Sequence, residues 1–595
     1  MARLWAYSEL GMDMRIGRLS VLGTVVTMAI WAAPSFAAAS ASLVTNGSPP
    51  SPFSQNKQNE PGVAVDQAHP QYAASGSNDE IDLEACAAGN PTTCPFTQGV
   101  GVSGVYLSDT GGSTFTQPTY QGYTARDCLG PAPCQPHPGP IGTLPGYYEQ
   151  GLVSDGDPQL AFGPEPDGHG GFSYAKGSRL YYANLASNFA TQRSEQAFKG
   201  FEALAVSRLD TQNFAAAKAG DNRAWMAPVL VSKQNAVLFS DKEAVWADNA
   251  QSSPNFGNAY VCNTSFRGQE KGGGSPSPIL FYRSTDGGST FSNPVQLSSA
   301  TSNAKNPGRQ DCTIRTDSQG TVYVYYDAFD TATQLDTIMQ TRSFNGGRTF
   351  ERPRTIAELT GCGLPDPATG RLSFDGVAGA RTGSEPSVDI ANGAPSGGDA
   401  TNEIVLTYCQ GPTPSNLHPG PNEQAVVRYS TDQGRSFTAT STASPIGDRP
   451  DFPAIAISPN GGTVYATYTS FEQPWQSSTL APPRLAQGVV RSAAVSTGGA
   501  VGAFTDVYRG PSGDSRGSSQ NDLTAGFLGD YNYVVATRSA GIATFNDVRN
   551  AADCPAVDTY RQNLIDGTTP NPRPAPNQNC PPTFGNSDIY GGTFP

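Results

Sequence analysis

The strongest constraint in this sequence is an eight-residue phrase that returns along the chain. Ser284-Thr285-Asp286-Gly287-Gly288-Ser289-Thr290-Phe291 reads as a tight turn between strands. Phe281-Tyr282 leads in, Val295 follows, and Asp-Gly-Gly supplies the positive-φ positions that a hairpin turn needs. Residues 430–437 repeat the phrase with Asp432 in place, 343–350 carry Asn345 there, and 108–115 carry Thr110. Ser496-Thr497-Gly498-Gly499, followed by Phe504, is a worn copy. Good copies that each follow a strand-like run predict a repeat architecture.

These octapeptides resemble the Asp box, or BNR repeat, of bacterial sialidases and related β-propellers, with consensus Ser-x-Asp-x-Gly-x-Thr-Trp or Phe. Residues 284–291 and 430–437 are the fullest copies. The resemblance implies a box on the outer turn between the third and fourth strands of a blade. It speaks to fold and does not locate a catalytic site. The family's early Phe/Tyr-Arg-Ile-Pro motif has no counterpart in the mature chain.

Between the boxes, apolar or alternating runs bounded by Gly, Pro and Asp read as strands. They open at Glu60, Asp157, Glu243, Asp311, Glu385, Asp451 and Asp530, spacings of one blade plus inserted loops. The prediction is an all-β chain, a β-propeller of seven blades, with six as the alternative and with long loop insertions at 80–100, 119–150 and 186–230. A length of 595 residues would otherwise suggest about four domains, but blades share one closed ring. The last, short unit has a second option, which is to join the N-terminal leader in one blade.

Arg15 and Arg18 precede an apolar run from Leu19 to Ala33, and Ser35-Phe36-Ala37 offers a small-x-small cleavage site. The predicted organisation is a signal peptide at 1–37, a flexible leader at 38–58, the propeller at 59–550, and a Pro/Asn-rich tail at 551–595 that packs on or extends it. Ten cysteines in an exported chain read as disulfides. Cys86 with Cys94 and Cys128 with Cys134 would close short loops. Order suggests Cys362 with Cys409 and Cys554 with Cys580, leaving Cys262 and Cys312 to join neighbouring blades. The net charge of −14 argues against a nucleic-acid surface. Scattered His69, His137, His169 and His418 argue against a zinc site.

The opening acids carry the chemistry. In a propeller the first strand of each blade lines the central channel, so Glu60, Asp157, Glu243, Asp311, Glu385, Asp451 and Asp530 would form a ring at the ligand face. Such a ring suits a polar ligand or a cation, calcium being the candidate, with no other cofactor expected. The plain alternative is that each acid accepts N–H bonds where its strand begins. Arg309, Arg381 and Arg449 stand just before three of the acids, and arginine forks grip carboxylates bidentately. Salt bridging to the neighbouring acids is their plain alternative. The resemblance implies three arginines on a substrate carboxylate, a Tyr–Glu nucleophile pair and an Asp acid/base. By position these fall on the arginines above, on Tyr531 or Tyr533 with Glu385 or Glu243, and on Asp451. For each tyrosine a core or rim role is the alternative.

Two functions follow. One is a secreted glycoside hydrolase, extracellular or periplasmic, that removes terminal sialic acid by retaining chemistry. The other is a non-catalytic propeller that binds glycan, cell wall or protein. The expected partner is an extracellular glycan or cell-surface polymer, with no nucleic acid, no membrane after signal cleavage, and a monomeric state.

Overall fold

The computed structural model describes residues 40–49, 57–84, 97–128, 133–233, 238–267, 275–299, 308–330, 335–365, 372–373, 377, 380–382, 386–411, 423–438, 441–473, 479–480 and 483–595. The predicted signal peptide, the Cys86–Cys94 pair, Glu385 and His418 lie outside them.

Among the described residues seven antiparallel sheets of three to five strands make the blades of a propeller. Their inner strands are Gln58–Val65 in blade I, Gln159–Pro166 in II, Leu238–Ala247 in III, Arg309–Thr316 in IV, Ser387–Ile390 in V, Pro450–Ile457 in VI and Tyr533–Ala536 in VII. Each inner strand touches the next around the ring, and that of VII touches that of I, so the ring is closed. The cores lie between blades. Ile455 and Ile457 face blade V with Val405 and Val427, while Ala454 and Ala456 face blade VII with Ala543 and Phe545. Successive side chains of a strand point to opposite faces, so an inner strand covered on both sides reads as an unbroken apolar run.

Closure joins the two ends of the described chain. Asp588–Phe594, in the stretch predicted to be a tail, is the third strand of blade VII, and Ser42–Leu43 is its fourth. Ser42 pairs with Gly591 and Leu43 with Tyr590. Ser42–Leu43 is thus ordered strand within the predicted leader. The last unit thus joins the leader in one blade, the second option that the sequence left open.

In blades III, IV and V the boxes sit between third and fourth strands, in blade I the box follows the third strand, and all repeat one hydrogen-bond scheme. Ser284 Oγ donates to Asp286 Oδ1 (2.7 Å) and accepts from Gly288 N (2.8 Å), while Asp286 accepts from Thr290 N (3.0 Å) and Thr290 Oγ1 (2.6 Å). Asp432 does the same with Ser430 and Ser436. Asn345 holds Thr349 N at 3.0 Å, and Thr110 holds Thr114 N at 3.1 Å. The box ring packs towards the preceding blade, as Phe350 does edge-on against Phe281 at 4.8 Å. Asp286→Ala and Asp432→Ala should therefore each cost about 1–3 kcal/mol of stability and leave any activity per folded molecule intact. A large activity loss at unchanged denaturant midpoint would contradict this.

Strand direction sorts the loops. The inner strand leaves its head, the second returns to it, and the third leaves again, so the boxes lie opposite the heads. The second-to-third loops of blades I and II, after Asp79 and after Asn188, emerge on the head face, as does the connection from blade I to II.

Four of the predicted disulfides form: Cys128–Cys134, Cys262–Cys312, Cys362–Cys409 and Cys554–Cys580. Cys262 is on the second strand of blade III and Cys312 on the first of blade IV, so this pair joins neighbouring blades. Such bridges belong to an oxidising compartment. Among the described residues no helix is long and apolar enough to cross a membrane.

Candidate functional site

Four inner strands slip register where they begin: between Asn59 and Gly62, Asp241 and Ala244, Gln310 and Thr313, and Asp451 and Ala454. Inside each slip one residue takes a left-handed backbone: Glu60 (φ 57°), Lys242 (55°), Asp311 (61°) and Phe452 (52°). Asp157 (52°) does so just ahead of the inner strand of blade II. Outside glycine this conformation is costly, and a repeated cost of this kind gathers at functional sites. The slips also decide which other groups stand among the predicted acids. The left-handed residue of blade III is Lys242, not Glu243, and that of blade VI is Phe452, not Asp451. A cation and a ring thus stand among the carboxylates, with Glu243 still on the cleft wall beside Lys242.

The polar groups of blades I, II, III and VII meet at the channel mouth. Asn78 Nδ2 donates to Glu60 Oε2 (2.6 Å) and Asp157 Oδ1 (3.2 Å), and its Oδ1 accepts from Asp157 N (2.6 Å). Lys242 Nζ donates to Asp530 Oδ2. Arg381 Nε lies 2.6 Å from Asp530 Oδ1, one Nη lies 3.7 Å from Glu60 Oε1, and the guanidinium sits over Phe527. Gly529 permits the approach of blade VII. Its φ is +80°, and a Cβ there would stand 2.6 Å from Glu60 Cγ.

This setting separates the acids. Burial first, then the charges of Asp157 and Asp530, push Glu60 well above the ordinary carboxylate range. Burial opposes ionisation of Asp530 too, but Lys242 and Arg381 outweigh it and hold Asp530 below its ordinary value. A raised folded-state pKa means that the folded chain keeps the Glu60 proton longer than the unfolded chain does. Its contribution is complete below about pH 4.3, the ordinary Glu value, and is lost as pH rises towards the raised folded value, at up to about 1.4 kcal/mol per pH unit. Glu60→Gln should flatten that alkaline decline in a denaturant-midpoint profile from pH 4 to 9. An unchanged slope would show Glu60 ionised.

Beneath the mouth lies a cleft of about 50 Å³ walled by Asp157, Lys242, Asp311, Arg315, Tyr531 and Tyr533, among others. That is room for a few waters. Arg315 Nε bonds Asp389 Oδ1 (3.1 Å), and its guanidinium stands 4.6 Å from the Trp246 ring centre.

The predicted residues thus divide. Tyr531, Asp157, Glu243, Asp311 and Asp530 line the cleft, and Glu60 stands behind Asp530 through Arg381. Asp451 turns its carboxylate onto the Phe452 N–H at 3.0 Å, and Phe452 takes the lining position. The three arginines have separate settings. Arg381 is at the mouth, Arg449 lies 3.9 Å from Glu423 and donates to the Gln473 carbonyl, and Arg309 lies near Tyr326. Among the described residues no group of three or more His, Cys, Asp or Glu is arranged to hold a metal ion. Lys242, Asn78 and Arg315 escaped sequence reasoning. Arg315 was open to it, standing two residues after Thr313 on the same strand face.

No family model matches the chain, and no curated protein matches it. Solved structures do. A protein of unknown function from Dyadobacter fermentans DSM 18053 is 11% identical over 73% of this chain and 93% of that one, with TM-score 0.36. An alpha-L-arabinofuranosidase from Fusarium graminearum is 12% identical over 73% and 96%, with TM-score 0.35. The leech intramolecular trans-sialidase is 12% identical over 73% and 68%, with TM-score 0.37.

Proposed function

We propose that this propeller is a glycoside hydrolase that works on an extracellular glycan at its head face. One observation carries the reading: two carboxylates at one channel mouth are pushed in opposite directions, Glu60 above and Asp530 below the ordinary carboxylate range, with Arg381 between them. A neutral carboxyl beside an ionised one is the pair that glycosidic cleavage needs. Glu60 gives its proton to the leaving oxygen as the C–O bond breaks. Asp530 takes a proton from the water that adds to the anomeric carbon. Tyr531, on the cleft wall, is the nucleophile in the retaining version of the reaction, and Arg381 is the group suited to a sialic acid carboxylate.

A second reading is favoured by the width of the cleft. At about 50 Å³ it holds waters and not a sugar ring, which suits a non-catalytic propeller that binds glycan, cell wall or protein on this face. The deciding experiment incubates purified protein with fluorogenic glycosides, including a sialoside and an α-L-arabinofuranoside, beside the Glu60→Gln and Tyr531→Phe variants. Turnover that falls in Glu60→Gln supports the enzyme. Binding without turnover supports the second reading, and neither sinks both.

A further inference from the structure

Described parts of the three insertions border a second cavity on the head face, over blades I and II. It measures about 730 Å³ and takes its walls from Thr97 and Gln98, from the 133–136 segment and Tyr148, and from Phe189, Thr191 and Glu195. Volumes of 300–1,000 Å³ are those of small-molecule sites. Its parts are fixed to one another. Tyr123 stacks on Tyr148, and Tyr148 meets Phe189 at 4.6 Å between ring centres. Gln98 Nε2 donates to the Phe189 carbonyl at 2.9 Å, tying the blade I insertion to that of blade II. Gly99, at φ +93°, leaves the space that the Phe189 ring fills, since a Cβ there would stand 1.9 Å from it. The Cys128–Cys134 bridge braces the segment that carries Gln135.

We propose that this cavity is a binding site for a neutral oligosaccharide, separate from the channel mouth. The lining chemistry selects the ligand. Half-buried aromatic faces carry negative charge density and take the C–H face of a sugar ring. The amides of Gln98 and Gln135 and the hydroxyl of Thr191 both donate and accept, as sugar hydroxyls require. Among the described lining residues Glu195 is the one charged group and none is Lys or Arg, so an anionic sugar meets repulsion without a counter-charge. The site shares its face with the channel mouth, so a polymer held here would present its chain to the Glu60–Asp530 pair. Binding itself does not require hydrolysis there.

The test is isothermal titration of the purified protein with maltohexaose, cellohexaose, xylohexaose and arabinohexaose, with sialyllactose as the anionic comparison. At least one neutral hexaose should bind. Tyr148→Ala should weaken it about three- to tenfold, and so should Gln98→Ala, whose exposed side chain can be removed without unfolding the protein. Asp530→Asn, measured on folded protein, should leave it unchanged, which keeps this site distinct from the channel. The proposal is overturned if no neutral hexaose binds, if binding survives both Tyr148→Ala and Gln98→Ala in folded protein, if sialyllactose competes, or if Asp530→Asn removes the binding.

Discussion

Asp530→Asn should lower glycoside turnover by about 10²–10⁴-fold, the usual worth of a positioned acid or base. The substitution removes the ionised member of the carboxylate pair and leaves Lys242 and Arg381 facing a neutral amide. Breaking a buried ion pair on one side also costs stability, about 3–5 kcal/mol. Activity must therefore be read per folded molecule, beside a denaturant midpoint. Glu60→Gln separates the two effects. Burial favours the neutral form of Glu60, so the amide preserves its shape and the charge that this setting favours while removing the proton. It should keep its midpoint at neutral pH, lose turnover to a similar degree, and lose the alkaline limb of the pH–rate profile. Full turnover in folded Asp530→Asn would remove Asp530 from the chemistry and return the reading to a binding propeller.

Replacing Cys262 and Cys312 together by Ser should cost about 4 kcal/mol in the chain-entropy account, because the bridge closes a loop with a sequence separation of 50. The same account assigns about 2 kcal/mol to Cys128–Cys134, whose separation is 6. The first pair also staples blade III to blade IV beside the channel, next to Asp311 at the cleft, so its loss should loosen the mouth as well. Guanidinium unfolding of both double variants checks this. Equal costs, or a larger cost for the short loop, would contradict loop closure as the cause.

What the sequence could determine was local. A box turn carries its own reasons in eight residues: Ser and Asp bond backbone N–H groups within four positions, and glycines take the positive-φ places. Repetition of that turn after apolar runs implied blades, and blades implied a ring, because a sheet apolar on both faces must be covered on both. The cysteine order yielded the bridges for the same reason, each pair lying within one blade or the next. The site depended on contacts that no local pattern records. Lys242 meets Asp530 across a separation of 288 residues, and Ser42 closes the ring only because Gly591 is brought beside it. Which side chains join the acids at the channel was decided by single-residue register slips, which set Lys242 beside Glu243 on the cleft wall and put Phe452 there in place of Asp451. A slip of one residue turns a strand's faces over while leaving its composition unchanged. The propeller was therefore legible in the chain, and the charges at its mouth were decided by tertiary structure.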